Sequence, residues 1–331
     1  MIIRARSHAR AGLIGNPSDG YFGKTISFLV RNFTAEVTLW ESPRLEILPA
    51  ARDHSVFEGI GHLASDVRHF GYYGGIRLLK ATVKRFHDYC MSNGQNLDNR
   101  NFTLCYSSDI PPQVGMAGSS AIITAALRAL MEFYGVEIPL PVLPNLILSV
   151  EKNELKIPAG LQDRVIQAYG GVVFMDFDEV HMREQGHGIY ESIDPSLLPP
   201  LYVAYTTRLS EGTEVFHNDI RSRWENGDPE VRAAMRAWAG LAAEARDLLL
   251  AGRGHELGPL LDANFDLRKK IYRISAGNLR MVEIARSIGA SAKFTGSGGA
   301  IVGTYRDQTM FRELAAALAP EGIQVIQPDI G

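Results

Sequence analysis

The chain has 331 residues, enough for one large domain or two ordinary ones, and its 46% apolar and 21% charged content belongs to a globular protein rather than a disordered one. A formal charge of −3, from 34 basic and 37 acidic residues, is too balanced to suggest a nucleic-acid partner or an anionic membrane surface. No run approaches the ~18–20 apolar residues of a membrane span, the first ten residues lack the apolar stretch of a secretory signal, and Cys90 and Cys105 alone give no disulfide framework, so a reducing cytoplasm is expected.

In chain order, the first segment that raises a chemical question is Ser18 to Ser27, SDGYFGKTIS, which ends like the tail of a phosphate-binding loop. That fingerprint needs a glycine five residues before the one preceding the lysine. Ser18 stands there instead, and Asn16-Pro17-Ser18-Asp19 reads as a turn rather than a strand end. Residues 26–40 then mix β-formers with rough alternation and predict one or two strands. Ile76, Leu79, Val83 and Phe86 predict a helix over 76–90, and Asn101 to Ser107 predicts a strand. From Ser120 the stripe Ile123, Leu127, Leu130, Tyr134 predicts a helix stopped by Gly135. A second helix is expected from Pro144 to Leu155, a third from Gly160 to Gly170, and a strand from Val172 to Phe177.

Asp194 to Pro200, with three prolines, is the best linker candidate and divides the chain into 1–195 and 196–331. After it come a strand at 201–205, helices at about 228–252, 256–273 and 277–288, and a strand–glycine loop–strand unit from Ser291 to Tyr305. Strands and helices mix in both halves, an α+β or α/β pattern.

Three stretches carry the chemistry. Ile110 to Ala121 holds Gly115-Met116-Ala117-Gly118-Ser119-Ser120 and runs straight into a helix. Small residues let backbone approach a ligand, and the helix start offers unpaired N–H groups and a positive dipole end, an anion site. The bland alternative is that Ser119 is only an N-cap. Downstream, Glu151 and Asp163 flank the Pro158-Ala159-Gly160 break, which could fold both carboxylates toward one pocket, although single acids near helix ends are ordinarily solvated. Third, Lys293-Phe294-Thr295-Gly296-Ser297-Gly298-Gly299 is a glycine loop but no dinucleotide fingerprint, because Ile301 occupies the last small position. The nine histidines show no H-x-x-x-H spacing for zinc.

Together, Pro-x-x-x-Gly-Met-x-x-Ser-Ser, a Glu, Gly-x-x-Asp twelve residues after that Glu, and Lys-Phe-Thr-Gly-Ser-Gly-Gly resemble the GHMP kinases, as does Arg10-Ala11-Gly12-Leu13-Ile14-Gly15 followed by Asn16-Pro17-Ser18-Asp19. The likeness spans residues 4–303. Stretches such as GLIGNPSDGYFGKTISF, GYYGGIRLL, AGLQDRV and KFTGSGGA are most similar to the plant-type glucuronokinases.

The resemblance implies an α+β, two-domain GHMP kinase fold. Its ATP-binding N-terminal domain would contain a left-handed βαβ unit, its C-terminal domain would be ferredoxin-like, and the active site would lie in the cleft between them. It implies an ATP-dependent, Mg²⁺-using kinase for the anomeric hydroxyl of D-glucuronate, with a small-molecule sugar and ATP as its partners. Gly115, Met116, Ala117, Gly118, Ser119 and Ser120 would wrap the ATP phosphates, with Gly296, Ser297 and Gly298 beneath. Ser119 and Glu151 would hold Mg²⁺. The serine pair is displaced by one place from the usual Gly-Leu-Gly-Ser-Ser-Ala, which leaves Ser119 and Ser120 as alternatives. Asp163 would be the catalytic carboxylate with Arg10 beside it, and Asn16, Asp19 and Gly160 would bind the sugar. Where galactokinases have a glutamate, Asn16 could donate to a uronate; a carboxylate there would repel it by about 4 kcal/mol at ~4 Å and an effective dielectric near 20. Galacturonate, a neutral hexose and a non-sugar alcohol are the alternative acceptors. A non-catalytic sensor on the same fold could dispense with Asp163, Glu151 and the serines, all of which are present.

Overall fold

The computed structural model describes residues 1–50, 53, 74–207 and 214–331, of which 214–219 by backbone alone. Gly71, Tyr72 and Tyr73, which open one of the family-like stretches, lie outside the described residues. The chain divides into two compact units, each drawn from separated stretches: Met1–Ala9, Phe33–Ile110 and Ala117–Ala168 in the first, and Arg10–Asn32, Pro111–Met116 and Tyr169–Gly331 in the second.

Two long strands pass through both units: β1 (Ile2–Ile14), paired with β2 (Lys24–Ser42). In the first unit the outer half of β2 runs antiparallel to β4 (Asn101–Ser108), and β4 pairs in parallel with the short β3 (Glu46–Ile47). A parallel pair needs a crossover; helix α1 (Gly75–Ser92) lies in the connection and completes a βαβ unit. Against it packs α2 (Gly118–Tyr134), whose Ile123, Leu127, Leu130 and Phe133 are buried. Phe133 meets Phe102 edge-on with ring centroids 5.5 Å apart. Gly135, at φ +64°, ends α2 in the left-handed conformation that glycine adopts without strain.

Pro144 starts a shorter helix than the sequence suggests. Helix α3 covers Leu143–Ser149, and the chain then loosens into a π-turn, Val150–Glu154, which carries Glu151. Helix α4 (Gln162–Tyr169) follows and puts Asp163 in its first turn.

In the second unit the inner half of β2 pairs with β5 (Val172–Asp176), which pairs with β6 (Ile189–Ile193) beyond helix α5 (Glu179–Gln185). Lys24 faces Asp176 in that ladder and ion-pairs with it, so it is a strand residue rather than a phosphate-loop lysine. The proposed linker holds a short turn at Pro195–Leu197, with the Asp194 carboxylate accepting from Ser196 N at 2.9 Å. A four-stranded antiparallel sheet follows, built from β7 (Leu201–Thr206), β8 (Lys293–Phe294), β9 (Ala300–Thr304) and β10 (Ile323–Ile326). Its order, β10-β7-β9-β8, is the fourth-first-third-second arrangement of a ferredoxin-like sheet.

Helices α6 (Glu214–Glu225), α7 (Pro229–Leu250), α8 (Leu257–Ile271) and α9 (Ala276–Ser287) connect β7 to β8, and α10 (Gln308–Leu318) connects β9 to β10. Asp228 caps α7, accepting from Glu230 N and Val231 N, with Pro229 at the first helical position where its missing N–H is no loss. One core lies between the sheet and α8–α10, around Tyr202, Phe265, Ile301 and Leu314. A second gathers Tyr21, Val231, Met235, Trp238 and Tyr272.

Gly303 in β9 is a position where only hydrogen fits: an added Cβ would lie 1.7 Å from the Ser291 carbonyl oxygen and 2.8 Å from the Tyr202 ring. Tyr202 itself donates to that carbonyl at 2.8 Å, so neither neighbour can yield cheaply. Overpacking of this kind costs ~1–3 kcal/mol or more. Gly303→Ala is therefore expected to lower the urea unfolding midpoint by the equivalent of at least about 2 kcal/mol; an unchanged midpoint would mean that β9 shifts freely.

Candidate active site

Each unit holds its own part of the predicted site. In the first, the anchor is Arg164, which the sequence reading passed over. It follows Asp163 in α4 and is 4% exposed. Its Nε donates to Glu151 Oε2 at 2.9 Å, its Nη2 donates to the same oxygen, and its Nη1 donates to Gly160 O at 2.9 Å and pairs with Asp163 Oδ2 at 3.1 Å. Glu151 is 1% exposed, so it is no solvated helix-end acid. Its other oxygen, Oε1, accepts from Ser119 Oγ at 2.8 Å. Ser119, Glu151, Arg164, Asp163 and Gly160 thus form one connected network.

Ser119 does not cap its helix. Ala117, at φ +62°, is the capping residue of α2, and no side chain caps the end. Ser120 turns the other way: its Oγ donates to Gln167 Oε1 at 2.6 Å. The Gln167 amide in turn donates to the carbonyls of His8 and Ala117, each at 3.0 Å. Gln167, one helical turn after Asp163, is thereby the clamp on the start of α2. Ser119 Oγ and Glu151 Oε1 are two hard oxygen donors at one place. That set suits Mg²⁺, which takes one or two protein oxygens and completes its shell with phosphates and water. Among the described residues there is no group of three or more His, Cys, Asp or Glu that would make an all-protein metal cage.

In the second unit the two glycine loops are laced together through backbone. Arg10 N donates to Met116 O at 3.2 Å, Gly12 N to Thr295 O at 2.8 Å, and Arg10 Nη1 to Gly115 O at 2.5 Å and Thr295 O at 3.2 Å. Gly115 and Gly296 are required by this approach: a Cβ on Gly115 (φ +68°) would lie 2.8 Å from Gly298 O, and one on Gly296 would lie 2.6 Å from Gly115 O. Ser297 and Gly298 complete the second loop.

Asn16 is 3% exposed, and its side chain is already engaged. Its Oδ1 accepts from Lys293 Nζ at 2.6 Å, its Nδ2 faces Phe294 O at 3.5 Å, and its backbone carbonyl accepts from Asn264 Nδ2 at 3.2 Å. Asn264 also accepts from Gly15 N at 2.8 Å. Lys293 is buried, donates to Gly12 O at 2.6 Å, and faces the positive charges of Arg268 and Arg10; burial first, then those charges, hold its ammonium well below the usual lysine range. Arg268 is buried too, stacked on Tyr272 and Phe294 at 5.0 and 5.2 Å, and donates to Gly296 O at 2.9 Å. Asp19 is half-buried in the Ser18–Tyr21 turn.

Asn264 and Arg268 did leave a trace in the sequence. They interrupt the buried stripe of α8, Leu257, Leu261, Phe265 and Ile271, with two polar residues that a core face would otherwise exclude.

Breaking a buried ion pair from one side strands a charge, at a cost of ~3–5 kcal/mol, whereas removing both charges costs much less. Arg164→Gln is therefore expected to lower stability by that amount, and adding Glu151→Gln to recover a large part of it. Urea unfolding of the two single variants and the double variant measures this coupling. Strictly additive losses would mean that the two side chains do not depend on each other.

Comparisons with known proteins give the family. The family described as the GHMP kinases N terminal domain matches residues 77–171. Glucuronokinase 1 of Arabidopsis thaliana is 47% identical over 306 residues, 91% of this chain and 84% of that protein. Probable glucuronokinase 2 of the same plant is 48% identical over 308 residues, again 91% of this chain and 84% of the relative. The crystal structure of Lactococcus lactis galactokinase complexed with galactose superimposes with a TM-score of 0.76 at 16% identity, covering 100% of this chain and 94% of that one, a likeness of fold. This chain belongs to the GHMP kinases, among their glucuronokinase-like members.

Proposed function

We propose that the protein transfers the γ-phosphoryl group of ATP to the anomeric hydroxyl of D-glucuronate, giving D-glucuronate 1-phosphate and ADP. The observation that carries this reading is the 47% identity to glucuronokinase 1 over nearly the whole chain. An ATP-dependent kinase is what its family implies.

Phosphoryl transfer asks for positioning and for compensation of the charge spread over the transferred group. In this reading the backbone of Gly115 to Ser120 takes the ATP phosphates, with Gly296, Ser297 and Gly298 shaping the floor. Ser119 and Glu151 would hold Mg²⁺, which would supply charge neutralisation at the phosphates. Ser119 is favoured over Ser120 because its hydroxyl already meets Glu151, while Ser120 is committed to Gln167. Asp163 accepts the proton of the sugar hydroxyl, and Arg10 offers its guanidinium to the transferring charge. An anomeric hydroxyl is more acidic than an ordinary alcohol, so a carboxylate is a sufficient base. Asp19 and Gly160 face the sugar, and Asn16 supports it through Lys293. Cytoplasmic residence belongs to the same reading. Among the described residues no helix is long and apolar enough to cross a membrane.

ATP turnover against D-glucuronate, D-galacturonate, neutral hexoses, mevalonate and homoserine tests the reading. D-glucuronate is expected to give the highest kcat/KM, and Asp163→Asn to lower it by ~10²–10⁴-fold with ATP still bound. A better neutral hexose or mevalonate would overturn the acceptor. A loss under about tenfold would reduce Asp163 to a substrate-positioning group.

A further inference from the structure

The roles above leave open what recognises the carboxylate of a uronate. Asn16 is buried with its Oδ1 accepting from Lys293 and its Nδ2 facing Phe294 O, and Lys293 and Arg268 are buried with N–H groups on carbonyl and amide oxygens. The Ser18–Tyr21 turn has another polar neighbour. Tyr21 is buried, and its ring stands edge-on to Trp224 with centroids 5.3 Å apart. The guanidinium of Arg221, on α6, lies over the face of the same ring at 4.7 Å. Asp19 and Arg221 act electrostatically on this one phenol, with opposite sign.

Arg221 differs from Arg223 in having no acidic partner among the described residues. Arg223, two residues on, binds Asp228 at 2.7 Å and Glu230 at 2.9 Å. Arg221 is exposed, and among the described residues no carboxylate forms an ion pair with it. It also lies near the turn backbone: a Cβ on Gly20 would stand 3.5 Å from its Nη2. A guanidinium laid on an aromatic face keeps its in-plane N–H fork available, and that fork matches a carboxylate bidentately. Stacking also restricts the side chain beforehand, which reduces the ordering cost of binding.

We propose that Arg221 receives the C6 carboxylate of the uronate substrate, beside Asp19 accepting from the ring hydroxyls. This rests on the glucuronate reading above and names the residue that would select for it. Arg221 then discriminates a uronate from its uncharged counterpart by a charge-assisted pair that a neutral sugar cannot form.

Calorimetric titration of D-glucuronate and D-glucuronamide into the wild-type chain, R221Q and R221M tests this without turnover. The amide keeps the sugar and removes the charge, and R221M keeps an apolar stem over Tyr21. Wild type is expected to bind glucuronate about tenfold or more tighter than glucuronamide, the range of a charge-assisted hydrogen bond. Both variants are expected to lose most of that gap through weaker glucuronate binding. Thermal unfolding checks that each variant is folded, and either one suffices. A folded variant that keeps the wild-type gap overturns the assignment. A wild type that binds neither compound contradicts the glucuronate reading itself, and the Arg221 assignment falls with it.

Discussion

A single buried guanidinium organises the first unit. Taking a carboxylate and a guanidinium out of water costs several kcal/mol per ion, and the pair recovers this only when its remaining hydrogen-bonding positions are filled. Arg164 fills them with Glu151, Asp163 and the Gly160 carbonyl, and Ser119 fills the second oxygen of Glu151. This explains why the chain between α3 and α4 takes the path it does. The π-turn brings Glu151 inward, and the Pro158–Gly160 break returns the chain to the arginine. Loss of any one contact leaves the others incompletely satisfied, so the residues proposed to serve metal and sugar are also held by the folding of the unit.

The second unit solves a related problem without acids. Arg268 is a buried cation and Lys293 a buried amine held well below the usual lysine range, and the hydrogen-bonding partners of both are backbone carbonyls and the Asn16 amide oxygen. Neutral dipoles orient such a cation without cancelling its charge. Arg268, which stays protonated, therefore keeps a positive field beside Phe294 and Gly296. The glycines of both loops serve the same end, because close backbone approach leaves no room for side chains that would screen that field.

Much of the scaffold was legible because its signals are local. The Ile123, Leu127, Leu130 stripe and the Gly135 stop delimited α2, and the helix expected at about 228–252 is α7. Strand β1 was not legible. Its buried positions up to Ser7 are Ile3, Ala5 and Ser7, interleaved with arginines, so the alternation carries little hydrophobic contrast. The site divides in the same way. Its glycine and serine loops were visible as motifs, and Glu151 and Asp163 by their spacing. Arg164 was not, since its role depends on an acid thirteen residues earlier, beyond any helical repeat. The engagement of Asn16 by Lys293 joins residues 277 apart in sequence, and no local pattern encodes that.

The central claim is a position of phosphorylation as much as a substrate. Phosphorus-31 NMR of the sugar product from ATP and D-glucuronate tests it most directly. The account predicts one ADP per sugar phosphate and a phosphorus signal coupled to the anomeric proton. A phosphate on any other carbon, or ATP consumed to inorganic phosphate with the sugar unchanged, would contradict it.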